Sequence, residues 1–264
     1  MNVLLVQHDI VWEDKPANHA AVAALVDRAA PPPRTLIVLA ELFDTGFTMN
    51  AASIADGRTE RFASDLARRH DCWVLAGHAA HSRRSGIANC ATFFSPQGEE
   101  SGRYEKVQPF AAGTNSEASH YTAGDRLLLR TIEGAQVAPF ICYDLRFPEL
   151  WRLATFAGSE VFLIGASWPR GRQEHWRALC IARAIENQAF VVAVNRIGRD
   201  PGSAYAGGSF VVGPRGEIVA DAEERSEALF VALDIARVRE WRSAFPVLRD
   251  AQPSLRGSIE IDRS

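Results

Sequence analysis

Residues 136–166 read QVAPFICYDLRFPELWRLATFAGSEVFLIGA. QVAPFIC (136–142) is apolar enough for a buried strand, Pro148 suits a first helical turn, Gly158 stops the helix, and VFLIGA (161–166) is again an apolar strand. The helix is therefore expected over Pro148–Phe156. Downstream the spacing predicts a long helix over Gln173–Asn187, strands AFVVAVN (189–195) and GSFVV (208–212), and a Gly213-Pro214-Arg215-Gly216 turn. Strands EIVAD (217–221) and ALFVALD (228–234) and a short helix around Ile235–Ser243 follow. Upstream the same alternation holds. Asn2–His8 is a strand, a helix after Pro16 carries the stripe Ala20, Val22, Leu25, Val26 and Ala29, and three prolines at 31–33 end it. TLIVLA (35–40) is a buried strand running into Glu41, and Thr59–His70 is a helix. CWVLAG (72–77), NCATFFS (89–95) and a strand ending near Lys106 read as a meander. Apolar strands alternating with helices in both halves predict an α/β fold whose sheets are covered by helices. No linker interrupts the pattern, so a single domain is expected over 1–264, with a polar arm from about 249 to 264.

Composition narrows the function. The chain has 264 residues, 29 Lys+Arg against 32 Asp+Glu for a net charge of −3, and 47% hydrophobic residues, as in a soluble folded protein. Its longest basic blocks are pairs such as Arg68-Arg69 and Arg83-Arg84, which leaves no electrostatic footprint for nucleic acid. No apolar run approaches the roughly 18–20 residues of a membrane span. The start MNVLLVQHDIVWED has no basic n-region and meets Asp9 early, so it reads as a strand and not a signal peptide, and a cytoplasmic location is expected. Cys72, Cys90, Cys142 and Cys180 are widely spaced without a CxxC, which favours reduced thiols.

Two residues stand where ligands gather in open α/β sheets, outside the carboxyl ends of strands. Glu41 follows TLIVLA, and Cys142 ends VAPFIC before the turn YDLRFPE. Each has a bland alternative, a turn carboxylate and an inert buried cysteine. A thiol at a strand-to-helix turn is expected near N–H groups that lower its pKa. Lys106, alone, reads as a solvated lysine at a strand end. His78 and His81 form an HxxH without a third ligand and are read as surface histidines, so no metal is expected. Tyr205-Ala206-Gly207-Gly208-Ser209 lacks the spacing of a phosphate cradle, and Cys72, Cys90 and Cys180 read as packing residues.

Taken together, LAELFDTGF (39–47), YEKVQPF (104–110), ICYDLRFPEL (141–150) and RAIENQAFVVAVNR (183–196) resemble, in order and along nearly the whole chain, the motifs of the nitrilase superfamily of carbon-nitrogen hydrolases. QHDIVWEDKPAN (7–18), EASHYTAGD (117–125), CYDLRFPEL and EWRSAFPVLRD (240–250) bring it nearest to the omega-amidase branch, which acts on 2-oxo-acid amides. The resemblance implies a four-layer αββα sandwich of two mixed sheets and a homodimer. It matches Glu41 to the family's general base, Lys106 to its lysine, Cys142 to its nucleophile and Glu117 to its second glutamate. Phe43, Tyr143 and Trp168 fall where the family places residues near the substrate, with core packing as the alternative. Arg146 is a candidate partner for a substrate carboxylate, or a brace for its loop. The segment after the lysine, VQPF, and the loop at 111–113 depart from the pattern of close relatives.

The activity implied is hydrolysis of the terminal amide of a small 2-oxo dicarboxylic acid monoamide, such as 2-oxoglutaramate or 2-oxosuccinamate, through a cysteine thioester and without a cofactor. The partner is then a small-molecule amide, with neither nucleic acid nor membrane involved. Other readings are an amidase of the same superfamily acting on deaminated glutathione or N-carbamoyl compounds, a non-catalytic nitrilase-like scaffold, and a thiol redox protein.

Overall fold

The apolar runs form strands whose side chains are buried on both faces: Val3–Val6, Val161–Ile164 and Val191–Val194 are all inaccessible to solvent. The computed structural model describes residues 1–111, 116–252 and 257–263; part of the 111–113 loop and part of the C-terminal arm lie outside these. In chain order the first half comprises β1 (Asn2–Gln7), α1 (Lys15–Ala29), β2 (Leu36–Val38), α2 (Ala51–Ile54), α3 (Arg58–His70), β3 (Trp73–His81), β4 (Ile87–Phe94) and β5 (Glu100–Glu105). Short strands β6 (Arg126–Leu128) and β7 (Arg130–Ile132) lead to β8 (Ala135–Ile141), α4 (Pro148–Phe156), β9 (Val161–Ala166), α5 (Gln173–Asn187) and β10 (Phe190–Asn195). The chain continues through β11 (Ile197–Arg199), β12 (Ala204–Ala206), β13 (Phe210–Val212), β14 (Ile218–Asp221), β15 (Glu227–Ala232), α6 (Ala236–Ala244) and β16 (Glu260–Asp262).

Two six-stranded mixed sheets result, ordered β15-β1-β2-β3-β4-β5 and β14-β13-β10-β9-β8-β7. Each has a parallel trio, β1-β2-β3 in one and β8-β9-β10 in the other, flanked by antiparallel strands. The halves therefore repeat one plan, and in both the crossovers of the trio are helical. α1 and α3 lie against the first sheet and α5 against the second, while β1 meets β10 and β4 meets β8 between them. This is the helix–sheet–sheet–helix layering expected for strands that read as continuous apolar runs. Local signals set the ends. The Asp14 side chain accepts from Ala17 N at 3.0 Å to cap α1, Pro148 occupies the first turn of α4, and Gln188, in the left-handed region, closes α5.

Departures from the sequence reading have simple causes. β3 runs on to His81 because Val74 to His81 pair antiparallel with Phe94 to Ile87, a register hidden by the small residues Ala76, Gly77, Ala79 and Ala80. His78 is consequently not a surface histidine: it is fully buried, with Nε2 2.8 Å from Thr92 Oγ1, whereas His81 is exposed. β6, β7, β11, β12 and β16 are three residues each, too short to show a period. β16 pairs in parallel with β6, so this part of the C-terminal arm is held on the body.

Candidate active site

Glu41 stands just beyond β2, where the chain leaves the first sheet and passes close to both sheets. Glycines make this passage possible. A Cβ on Gly77 of β3 would collide with the Ala40 carbonyl and come within 2.9 Å of Glu41 Cα; one on Gly165 of β9 would lie 2.9 Å from Leu39 O and 3.1 Å from Glu41 N. The bend is tight enough to put Leu42 at φ 45°. Gly77→Ala is accordingly expected to displace the Glu41 backbone and to lower amide turnover at least about 10²-fold, measured as ammonia release, while Gly171→Ala, with open space around it, serves as the control.

Lys106 follows β5. Its backbone N–H donates to Asn89 O at 2.9 Å and its carbonyl accepts from Gly124 N at 2.8 Å. Its ammonium is buried and donates to Glu41 Oε1 at 2.7 Å and Glu117 Oε2 at 2.8 Å. Asn89 of β4 bridges the same two carboxylates, Nδ2 lying 2.8 Å from Glu41 Oε1 and from Glu117 Oε1. Ser167 N, at the carboxyl end of β9, donates to Glu41 Oε2 at 2.9 Å, and Phe110 N to Glu117 Oε2 at 2.6 Å. Burial by itself would push the Lys106 ammonium down, but the charges of Glu117 and Glu41 outweigh it and hold it well above the ordinary lysine value. The cluster is thus a fixed cation between two anions, with few donors or acceptors left over.

Cys142 follows β8 at φ 44° and opens a 3-10 turn, Cys142–Arg146. Asp144 braces the turn. Its carboxylate accepts from Ile141 N at 3.0 Å, Tyr104 OH at 2.8 Å and Gln108 N at 2.9 Å, tying the cysteine's turn to the segment that follows Lys106. Burial pushes the Asp144 carboxyl up to about 7, against the pull of Lys106 and of these hydrogen bonds. The thiol itself is pushed well above its ordinary value, first by burial and then by the Glu41 charge, with Lys106 opposing. This corrects the expectation that the turn's N–H groups would lower it. The shift favours the thiol form of Cys142. Its modification by methyl methanethiosulfonate is therefore expected to keep accelerating with pH beyond the ordinary thiol range, where a thiolate already formed at neutrality would give a flat profile.

These groups open on a pocket of about 110 Å³. Lys106, Cys142 and Ser167 line it; Phe47, Phe110, Tyr143, Trp168 and Tyr205 supply aromatic walls; Arg146, Arg172 and Ser203 line it as well. Among the sequence candidates, Glu41, Lys106, Glu117 and Cys142 come together, and Tyr143, Trp168 and Arg146 line the pocket. Phe43 does neither. It is fully buried, its ring 6.4, 5.9 and 6.0 Å from those of His8, His19 and Phe62. Asn89, Ser167, Phe47, Phe110, Arg172 and Tyr205 escaped the sequence reading. Ser167 alone had a visible signal, since it follows an apolar strand as Glu41 and Cys142 do. Among the described residues no three His, Cys, Asp or Glu side chains are grouped to hold a metal, and no helix is long and apolar enough to cross a membrane.

Residues 2–243 match the family model described as carbon-nitrogen hydrolase. The chain belongs to the carbon-nitrogen hydrolase family. It is 35% identical over 254 residues to omega-amidase YafV of Escherichia coli K12, covering 95% of this chain and 96% of that one. To 2-oxoglutaramate amidase of Bacillus subtilis 168 it is 31% identical, covering 94% and 96%. The solved structure of XC1258 from Xanthomonas campestris, a CN-hydrolase superfamily protein with an arsenic adduct in its active site, superposes with a TM-score of 0.89 at 29% identity over 97% of this chain and 99% of that one. A carbon-nitrogen hydrolase with relatives of this kind is an amide-hydrolysing enzyme, and the two mixed sheets with their helices are the family's architecture.

Proposed function

We propose that this hydrolase cleaves the terminal amide of a small 2-oxo dicarboxylic acid monoamide, such as 2-oxoglutaramate or 2-oxosuccinamate, to the diacid and ammonia. The observation that carries the reading is the buried Lys106 ammonium, bonded at 2.7 and 2.8 Å to two carboxylates beside a thiol that faces the pocket. An unassisted thiol is a poor nucleophile at neutral pH and gains from an adjacent base. Cys142 Sγ attacks the amide carbon as its proton passes to Glu41. The oxyanion forms against the Lys106 ammonium and the Tyr143 backbone N–H. Glu41 then returns the proton to the nitrogen, the C–N bond breaks and ammonia leaves a Cys142 thioester. Water, deprotonated by the same carboxylate, attacks the thioester; Sγ departs and regains a proton, and the acid is released. Glu117, with Asn89, holds Lys106 in place. Every step is carried by these side chains and water, so the reading uses no cofactor.

The same reading gives a cytoplasmic homodimer, which light scattering would check by mass. The activity is tested by ammonia release from 2-oxoglutaramate, 2-oxosuccinamate, deaminated glutathione and N-carbamoyl amino acids side by side. The expected result is highest kcat/KM for one of the first two. A preference for either of the others moves the substrate to that class, and no release from any by folded protein overturns the amidase reading.

A further inference from the structure

The chain has two lysines, and both are buried among carboxylates. Lys106 belongs to the active site. Lys15, in the first turn of α1, lies in a second cluster that does not line the pocket. Its ammonium donates to Ile54 O at 2.6 Å, Asp56 Oδ1 at 2.9 Å and Thr59 Oγ1 at 2.9 Å, and lies 3.6 Å from Asp44 Oδ2. The same Asp44 oxygen receives the Thr59 hydroxyl and lies 3.2 Å from His19 Nε2. Burial by itself would raise the Asp44 carboxyl, but His19, Lys15 and Thr59 outweigh it and hold the group below its ordinary value. It is a buried anion. An ion pair in this setting adds little stability over apolar side chains of similar size, because both charges have lost their water. What such a cluster supplies is one fixed geometry.

Asp44 lies midway along the loop that carries Glu41 and Phe47. The backbone around it is tied to the same part of the chain as its side chain. Asp44 O accepts from Asn18 Nδ2 at 2.8 Å, Thr45 O accepts from Glu13 N at 2.9 Å, and Phe43 O lies 3.0 Å from His8 Nε2. On one side of this anchor Leu42 makes its left-handed turn and Glu41 reaches Lys106. On the other, Gly46 at φ 77° turns the chain again, and Phe47 lines the pocket with the Lys106 ammonium 5.5 Å from its ring centre. Both turns take their direction from what lies between them, so a shift of the anchor moves base and wall together.

We propose that Asp44, held by Lys15, His19 and Thr59, is a positioning residue that sets Glu41 against Cys142 and Phe47 against the Lys106 ammonium. This rests on the reading of Glu41 as base and Cys142 as nucleophile, and adds what holds the two in register. The arrangement has a distinctive consequence. Burial and then the Glu41 charge raise the Cys142 thiol, so a loop that withdraws the carboxylate leaves a sulfur that ionises more readily in an enzyme that turns over more slowly.

The test replaces the pair by apolar side chains of similar size, Lys15→Met together with Asp44→Leu, in the full-length protein. Exchanges of this kind are often tolerated, and the double variant is expected to stay folded. Its kcat for ammonia release from 2-oxoglutaramate should fall about 10²-fold, the size of effect when a remote change misplaces a reacting group. Its Cys142 should react with methyl methanethiosulfonate at mildly alkaline pH about 10-fold faster than in the wild type, with Cys72, Cys90 and Cys180 unmodified by mass spectrometry. Asp44→Asn keeps the shape and removes the charge; it should move both readouts in the same directions by smaller factors, and it decides the proposal if the double variant does not fold. Wild-type kcat and wild-type Cys142 reactivity in either folded variant overturn the proposal. So does a slower enzyme whose Cys142 reacts at the wild-type rate, the result expected of a cluster that only supports the fold. Modification needs no turnover, so these rates test the positioning role even where the wild type releases no ammonia and the amidase reading fails.

Discussion

Cys142→Ala is expected to abolish amide turnover, with a fall in kcat of about 10⁶-fold, the size of effect when the nucleophile of a covalent mechanism is deleted. The protein should stay folded, because the side chain removed is small and faces the pocket. Intact-protein mass spectrometry of the wild type with a slow amide should show an acyl adduct that maps to Cys142 and is missing from the variant. An adduct on Cys72, Cys90 or Cys180 would refute the assignment, and burial makes those three thiols poor rivals: the Cys90 thiol, for example, is pushed up to about 12. The backbone offers an independent measure. Cys142 is held at φ 44°, where a side chain costs about 1–2 kcal/mol and glycine costs little. Cys142→Gly should therefore unfold at a higher temperature than Cys142→Ala, although both are inactive. The conformation is a local cost that orients the sulfur toward Glu41 and the pocket.

Where the sequence could be read, it was because a residue's position followed from its own strand. Glu41 after TLIVLA, Cys142 after VAPFI and Ser167 after VFLIGA all lie at carboxyl ends in the two parallel trios, and facing one trio against the other brings those ends together. Lys106 has no such local signal; only its motif singled it out. Asn89 was invisible for a different reason. It interrupts an apolar strand, and its purpose appears only when the carboxylates it bridges arrive from elsewhere in the chain. Phe43 shows the limit of reasoning by proximity to a motif. Leu42 takes a left-handed conformation, the chain reverses, and Phe43 packs among His8, His19 and Phe62 while Phe47, later in the same loop, lines the pocket. His78 shows another limit: a histidine in an alanine- and glycine-rich strand looks exposed until the register of β3 on β4 is known.

Lys106→Met should lower kcat at least about 10²-fold if the ammonium receives the oxyanion. The same substitution threatens the fold, because it leaves Glu41 and Glu117 buried and joined by Asn89 with no cation between them. Breaking a buried pair by removing one partner costs about 3–5 kcal/mol. The variant can reduce this cost by taking up a proton on one carboxylate, which raises that group's folded pKa above the roughly 4.3 of an ordinary glutamate. The sign follows: stability contributed by a raised carboxyl is present at low pH and lost as pH rises through the folded value. Lys106→Met should thus gain melting temperature relative to wild type as pH is lowered from neutrality toward 5. Adding Glu117→Gln removes one of the two opposed charges while keeping an acceptor for Phe110 N. The double variant should recover much of the lost stability and its pH dependence should flatten. Activity separates the two roles of the lysine. If the ammonium acts on the oxyanion, the double variant stays as slow as Lys106→Met; if it only neutralises the carboxylates, restoring the fold restores turnover as well, and the oxyanion assignment is wrong.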